Sequence, residues 1–519
     1  MYLTRFFWWA SLALGLIIAW PALQAPFLSD DLGIMQWVLA WDREGGFWKV
    51  IGTGFARSFD VPNHFYRPLA SLTYGFDYLL WGFEPLPWHF TGYALHIFNA
   101  LLVGKIARAL GSDALQAAAA AALFLLFPLA PEVVIWFSGR FDLLAVTGML
   151  IAVFGHARAQ GFDRWRALSL LGLALGLTAK EAAMQAPGLL VLVSLLRGPA
   201  GESLAARAGR TLREVLPACL VFLAYLGFRV KLFGTALQIY SSSDPTALPA
   251  WPVLLDRAKA LAAIPRLVFA DAPLAGALAL GVIALGLPFA AAACWRERRL
   301  SRAWVLPVGC ALLSLLALLP HLGTNFSQGE GSRFFYATAP WLALALVPAL
   351  GWVRDRQRAV LAALFVASFG LAQAPVMAQW GRAGEAMRAL VPALGNTAAA
   401  LDQDDFALVL VPDYIGTVLF GRNAQGGMAT PPLQASNLLP KLVPVIPADL
   451  FTWPQRIAQG DVAVIKGREV APRLDALYCF DPRRDRLEQA TPTPDWRDSA
   501  SFLTAARVFA RRACGLDVP

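Results

Sequence analysis

The feature that most constrains this chain is a succession of apolar runs whose connecting loops carry Arg and Lys in alternation. The runs lie at roughly 6–23, 89–110, 114–130, 141–157, 166–180, 183–196, 212–231, 273–294, 304–320, 334–352 and 359–376, about eleven in all. Such runs suit helices that cross a bilayer, because a helix satisfies its backbone groups internally. Basic residues fall in every second connection: Lys105 and Arg108, then Arg158, Arg164 and Arg166, then Arg197, Arg207, Arg210 and Arg213, then Arg296, Arg298, Arg299 and Arg302, and finally Arg354, Arg356 and Arg358. The alternate connections hold few, chiefly Arg140, Lys180, Arg257 and Arg333. The positive-inside rule then sets the N-terminus in the cytoplasm and the loop after the first run outside. An odd number of spans puts the C-terminal tail outside as well.

Composition agrees with a membrane chain. Charged residues are 15% and hydrophobic ones 57%, whereas a soluble domain carries about 25% charged residues. The net charge of +9 raises the question of a nucleic-acid partner. Its placement in short loops between apolar runs answers it: the expected partner is a lipid bilayer, with no nucleic acid. Two stretches admit alternatives. The first run follows Arg5 and is either a signal peptide ending near Leu23-Gln24-Ala25 or an uncleaved span; its length favours a span. Residues 251–271 are interrupted by Arg257, Lys259, Pro265, Arg266 and Asp271. They read as an amphipathic or half-inserted helix on the outer face, and a full span there would move the tail to the cytoplasm.

The organisation expected is a membrane domain over 1–376 with a first outer loop at about 24–88, a connecting helix or linker at 377–399, and a small α/β domain over 400–519. The tail is charged and Pro-rich, with strand-like runs at Phe406–Val411 and Val462–Ile465. It holds no GxGxxG, no P-loop and no tetratricopeptide-type repeat. Cys219, Cys294 and Cys310 sit in or beside apolar runs and read as core residues. Cys479 and Cys514 lie in the tail without metal-ligand spacing; in an oxidising compartment they are candidates to pair, and otherwise they are free thiols.

The loop after the first run carries an acidic doublet, Asp30-Asp31. Carboxylates brought to a membrane surface are costly, so a doublet there marks either function or a helix cap. Other ionisable residues expected on the same face are His64, Arg67, Glu132, Arg140, Asp142, Lys180, Glu181, His321, Glu330 and Arg333. They read either as interface charges paired among themselves or as a site. Carboxylates with Arg and Lys at a lipid interface suit a reaction in which an acid group positions an acceptor while cations hold an anionic leaving group. A phosphate would favour Arg, whose fork matches it.

Several stretches occur in an order that resembles a family. They are Asp30-Asp31, Tyr66-Arg67-Pro68-Leu69, Leu80-Trp81-Gly82-Phe83-Glu84-Pro85 with His89, the run from Glu132 through Trp136-Phe137-Ser138-Gly139-Arg140-Phe141-Asp142 to Leu144, Ala179-Lys180-Glu181, and Ser332-Arg333-Phe334-Phe335-Tyr336. Over roughly residues 1–350 the chain resembles the GT-C glycosyltransferases. It is most similar to the transmembrane and tetratricopeptide-repeat O-mannosyltransferases and more distantly to protein O-mannosyltransferases. The extracytoplasmic α/β tail is read from the composition and topology above; the resemblance implies a polytopic α-helical GT-C-like fold with a long first outer loop, and a polyprenyl-phosphate sugar as donor. It maps the catalytic base onto Asp30, with Asp31 second. Donor-phosphate binding is expected of Arg333, with Arg140 and Lys180 as helpers, and substrate contacts of His64, Tyr66, Arg67, His89, Asp142, Glu181, Glu330 and Tyr336. Single displacement would invert the anomeric centre. No cofactor is expected, and no His/Asp spacing indicates a metal. The acceptor stays open among glycan, lipid and protein, since the repeat tail of those relatives has no counterpart in the tail read here. The localisation expected is a bacterial inner membrane with the tail in the periplasm. The rival reading is a transporter that moves a lipid-linked sugar without chemistry; polar residues on one face, without paired halves, argue against it.

Overall fold

A computed structural model of the chain describes residues 2–43, 45, 46, 48, 65–199, 201–236, 249–322, 330–451, 474–495 and 498–517. His64 and the expected strand at 462–465 lie outside the described residues. The chain divides into two compact units, one of Met1–Trp20 with Glu44–Met377 and one of Pro21–Arg43 with Ala378–Pro519.

The first unit is helical. Its helices are α1 (Tyr2–Leu23, of which the start belongs here), α3 (Pro68–Trp81), α4 (Pro85–Ala109), α5 (Ala114–Leu125), α6 (Pro131–Ile135), α7 (Arg140–Arg158), α8 (Arg164–Leu177), α9 (Ala186–Arg197), α10 (Leu204–Phe233), α11 (Trp251–Val268), α12 (Pro273–Arg296), α13 (Leu306–Leu318), α14 (Ala339–Leu346) and the first half of α15 (Asp355–Ala400). Helix α2 (Asp31–Arg43) belongs to the second unit. Among the described residues, 6 helices are long and apolar enough to cross a membrane. They are α1, α4, α7 with the turn before it, α10, α12 and α15. The remaining runs expected to span form shorter helices, so the structure supports fewer spans by length than the sequence suggested. The reason is punctuation. Helix α5 stops at Leu125, ahead of Pro128 and Pro131, and its 12 residues extend only about 18 Å, against the roughly 30 Å of a hydrocarbon core. On the long helices large apolar side chains stand exposed, including Phe6, Ile17, Leu274 and Leu285. That is the face a lipid-bathed helix presents.

Two of these helices meet along a seam of small residues. A Cβ on Gly148 of α7 would lie 2.4 Å from the Gly176 nitrogen of α8, and one on Gly155 would lie 2.7 Å from the Ser169 nitrogen. Only glycine permits backbones so close, the usual device for helix pairs in membranes. The seam fixes the start of α7 beside the residues that follow α8.

Among its described residues the second unit holds a 4-stranded sheet in the order β4-β1-β5-β6, with β1 Ala407–Leu410, β4 Leu442–Val445, β5 Ala476–Asp481 and β6 Arg486–Gln489. Strand β1 pairs in parallel with β4 and β5, and β5 pairs antiparallel with β6. Helix α17 (Ser499–Phe509) packs on the sheet through Phe502 and Ala506, against Leu408, Val443 and Leu477. Cys479 of β5 is bonded to Cys514. A hairpin of β2 (Tyr414–Ile415) and β3 (Val418–Leu419) turns at Gly416, whose φ of 59° glycine alone adopts freely. A short helix α16 (Gln425–Met428) follows it, with a Cβ on Gly427 coming within 2.6 Å of the Leu32 side chain of α2.

Candidate active site

The acidic doublet lies in the second unit. Asp31 is buried in the first turn of α2, where its carboxylate accepts from the Leu28 amide at 3.2 Å and closes the turn before the helix. A carboxylate in a first helical turn also faces the favourable end of the helix dipole. Asp30 is half-buried, and its Oδ1 accepts from Asn423 Nδ2 at 2.7 Å. Ser29, just before it, holds a φ of 51° and donates from its hydroxyl to the Arg422 carbonyl at 2.9 Å. The two carboxylates therefore differ: one is taken up by the turn, while the other stands partly open to solvent.

The other candidates lie in the first unit, where they pair across elements. Arg67, just ahead of α3, donates to Glu181 at 2.9 Å, and Arg229 of α10 reaches the other oxygen of Glu181 at 3.4 Å. Lys180 donates to Asp142 in the first turn of α7 at 2.8 Å. The Lys180 side chain also feels the positive charges of Arg67 and Arg333. Burial raises the Glu181 carboxyl, but the two guanidiniums outweigh it and hold it below its ordinary value. It therefore stays ionised between them.

Glu132 organises the third group. Its carboxylate accepts from the Gly331 amide, the Ser332 hydroxyl at 2.8 Å, the Arg333 amide at 2.9 Å and the Arg333 guanidinium. Gly331 adopts a φ of 99° to turn its amide to that carboxylate. The Arg333 guanidinium lies 5.1 Å from the Trp136 ring and 5.0 Å from Phe334. These ring contacts add to the hold that Glu132 has on the guanidinium.

Exposure separates the cations. The side chains of Arg333 and Lys180 remain 23% and 18% exposed, whereas those of Arg140 and Arg229 are 1% and 0% exposed. Arg140 is taken up by Asp77, by the Trp88 carbonyl at 3.0 Å and by the faces of Tyr74 and Trp88. It braces α3 against α4 and α7, whereas Arg333 and Lys180 keep part of their side chains open while paired with Glu132 and Asp142. Tyr336 is fully buried, its hydroxyl 2.9 Å from His96 Nδ1 and 3.2 Å from Asn99 Nδ2. Because His96 Nε2 faces the Leu125 carbonyl at 3.0 Å, Nδ1 accepts and the tyrosine donates. This gives Tyr336 a bracing part. Tyr66 is buried edge-on to Phe228, His89 lies against Phe137, and Glu330 is buried. Sequence reasoning left out Asp77, Arg229 and Asn423 as site residues. An Arg near the end of an apolar run was a signal for Arg229; nothing local marked Asn423. Among the described residues, no three His, Cys, Asp and Glu side chains gather as a metal site.

No family model matches the chain, and no solved structure matches it. Curated relatives do. The chain is 32% identical over 146 residues to the protein O-mannosyl-transferase Tmtc2 of Drosophila melanogaster, covering 26% of this chain and 16% of that protein. It is 35% identical over 123 residues to Tmtc1 of the same fly, covering 23% and 14%. With the human protein O-mannosyl-transferase TMTC3 it shares 26% identity over 274 residues, covering 47% and 29%. The matched stretches span less than a third of the length of each relative. The resemblance carried by the motifs is thus found again in direct comparison, over partial stretches of both chains.

Proposed function

We propose that the chain is a membrane glycosyltransferase of the O-mannosyltransferase kind. It moves a sugar from a polyprenyl-phosphate carrier to a hydroxyl acceptor on the outer face of a bacterial inner membrane. The observation that carries this reading is that Arg67 and Arg333, each from a separate motif, both act electrostatically on Lys180 of a third. Each also has a carboxylate partner from a different motif or element. Opposed charges gathered from distant elements in a half-buried setting suit the recognition of a phosphate whose charge grows as a bond breaks. In the reaction the acceptor oxygen attacks the anomeric carbon, the bond from that carbon to the phosphate oxygen breaks, and the acceptor proton passes to Asp30. The lipid phosphate leaves with the bonding electrons and is held by Arg333 and Lys180, while Arg140 positions the motif around them. An Asp is too weak a base to ionise a hydroxyl beforehand, so it takes the proton late, as the oxocarbenium-like centre forms. The Cys479–Cys514 bond supports an oxidising compartment for the tail.

The test uses the purified full chain with radiolabelled polyprenyl-phosphate mannose and a detergent extract of membranes as the source of acceptor. Label is expected to leave the lipid fraction for glycan or protein. Asp30→Asn should lower transfer by about a hundredfold or more, and Arg333→Ala should raise KM for the donor. Label that stays on the lipid would overturn the transferase reading, and an Asp30→Asn chain with full transfer would overturn the base.

A further inference from the structure

The acidic turn and the β2–β3 hairpin belong to the same unit, and the hairpin makes contacts that the fold of the tail alone does not require. Gly421 follows β3 with no room for a side chain, since a Cβ there would lie 2.5 Å from the Pro412 carbonyl. Arg422 grips Asp413 with two parallel bonds, Nε to Oδ1 at 3.1 Å and Nη2 to Oδ2 at 2.5 Å. Such a fork is rigid as well as strong. The grip fixes the Arg422 carbonyl that accepts from Ser29, and it sets Asn423 next to Asp30. Asn423 has a φ of 61°, a conformation that Gly adopts most easily and Asn tolerates. Glycine would satisfy the backbone there, and only the amide supplies a donor for a carboxylate. Its nitrogen must face Asp30, because the amide oxygen would oppose the carboxylate.

We propose that Asn423 is a positioning residue for Asp30. The turn after the hairpin, Arg422–Asn423, holds Ser29 in its left-handed conformation and aims the Asp30 carboxylate by one hydrogen bond. The proposal rests on the assignment of Asp30 as the base. Strained backbone beside an acidic group persists only where the surroundings enforce it, and here Ser29 and Asp30 are bonded to Arg422 and Asn423, consecutive residues of the turn that follows the hairpin. The charged groups on the elements around Asp30 include Asp31 on its own turn, Asp42 and Arg43 at the far end of α2, the Arg422–Asp413 pair, and Arg382, Glu385 and Arg388 of α15, of which Arg388 donates to the Gln24 carbonyl at 2.8 Å.

Two variants separate the donor from the backbone. Asn423→Gly keeps the left-handed turn and removes the amide, while Asn423→Asp keeps shape and tolerance but sets a second carboxylate against Asp30. In the radiolabelled mannose assay, Asn423→Gly should lower kcat by roughly tenfold to a hundredfold, the worth of a hydrogen bond to a charged group, with KM for the donor unchanged. The acid limb of the pH profile should move up by about one unit, because a lost donor disfavours the carboxylate. Asn423→Asp should move it further. Wild-type kcat and acid limb in both variants, with Asp30→Asn inactive, would overturn the proposal and leave the base assignment standing. Full activity of Asp30→Asn would instead remove the reading beneath it. Where Asn423→Gly fails to fold, as judged by its thermal midpoint, Asn423→Asp decides alone.

Discussion

Gly139 shows how a single position can govern a charged group it never touches. A Cβ there would lie 2.5 Å from the Val133 carbonyl and 2.9 Å from that of Glu132, both backbone atoms that cannot swing aside. The Ser-Gly-Arg sequence thus packs directly on α6, whose Glu132 gathers Gly331, Ser332 and Arg333. Gly139→Ala must displace that helix. It is expected to cost about 1–3 kcal/mol, as overpacking does, and to weaken donor binding by shifting Glu132. Gly209→Ala is the control: nothing lies within 4 Å of its Cβ position in α10, and alanine there should be neutral or stabilising by up to about 1 kcal/mol. Thermal unfolding in detergent compares the two. Equal midpoints would mean that the close approach at Gly139 is not rigid.

At the scale of elements, the Cys479–Cys514 bond ties the centre of the sheet to the turn after α17 across a separation of 35 residues. Closing such a loop contributes roughly 3–4 kcal/mol on the chain-entropy view. The Cys479→Ser, Cys514→Ser double variant should therefore make the tail more open to limited proteolysis, and reductant should do the same to the wild type and nothing to the variant. Equal digestion of both chains without reductant would show that the bond adds no stability. The elements legible in the sequence were those whose signal is local. Phe406–Val411 reads as a strand because β1 is covered on both sides, which calls for an unbroken apolar run. Strand β4 was not read, since Pro444 interrupts it; proline is tolerated there because β4 is an edge among the described residues. Hydropathy does not register where prolines such as Pro128 and Pro131 cut a run, so helix length supports fewer spans than the apolar runs suggested. Pairings such as Asp77 with Arg140, 63 positions apart, and Glu181 with Arg229, 48 apart, depend on packing that no local pattern encodes. The charges were legible; their partners were not.

For the molecule as a whole, sidedness links the sequence pattern to the proposed chemistry. Residues 21–43 share one compact unit with residues 378–519, and segments in hydrogen-bonded contact, such as Gln36 with the Pro431 carbonyl at 2.6 Å, must lie on one side of a bilayer. The alternation of basic loops independently leads to the expectation that both segments lie opposite the Arg158–Arg166 connection. Single cysteines at three exposed positions, Trp37, Ser436 and Gln160, separate these statements in a background where Cys219, Cys294 and Cys310 are replaced. A membrane-impermeant maleimide should label positions 37 and 436 in intact spheroplasts, and position 160 only after permeabilisation. Labelling of 37 and 436 from opposite sides would break the contact between the acidic turn and the hairpin, and the positioning of Asp30 by Asn423 with it. Labelling of both only after permeabilisation would keep that contact and move the proposed transfer to the cytoplasmic face, where the orientation of the lipid-linked donor would have to be reversed.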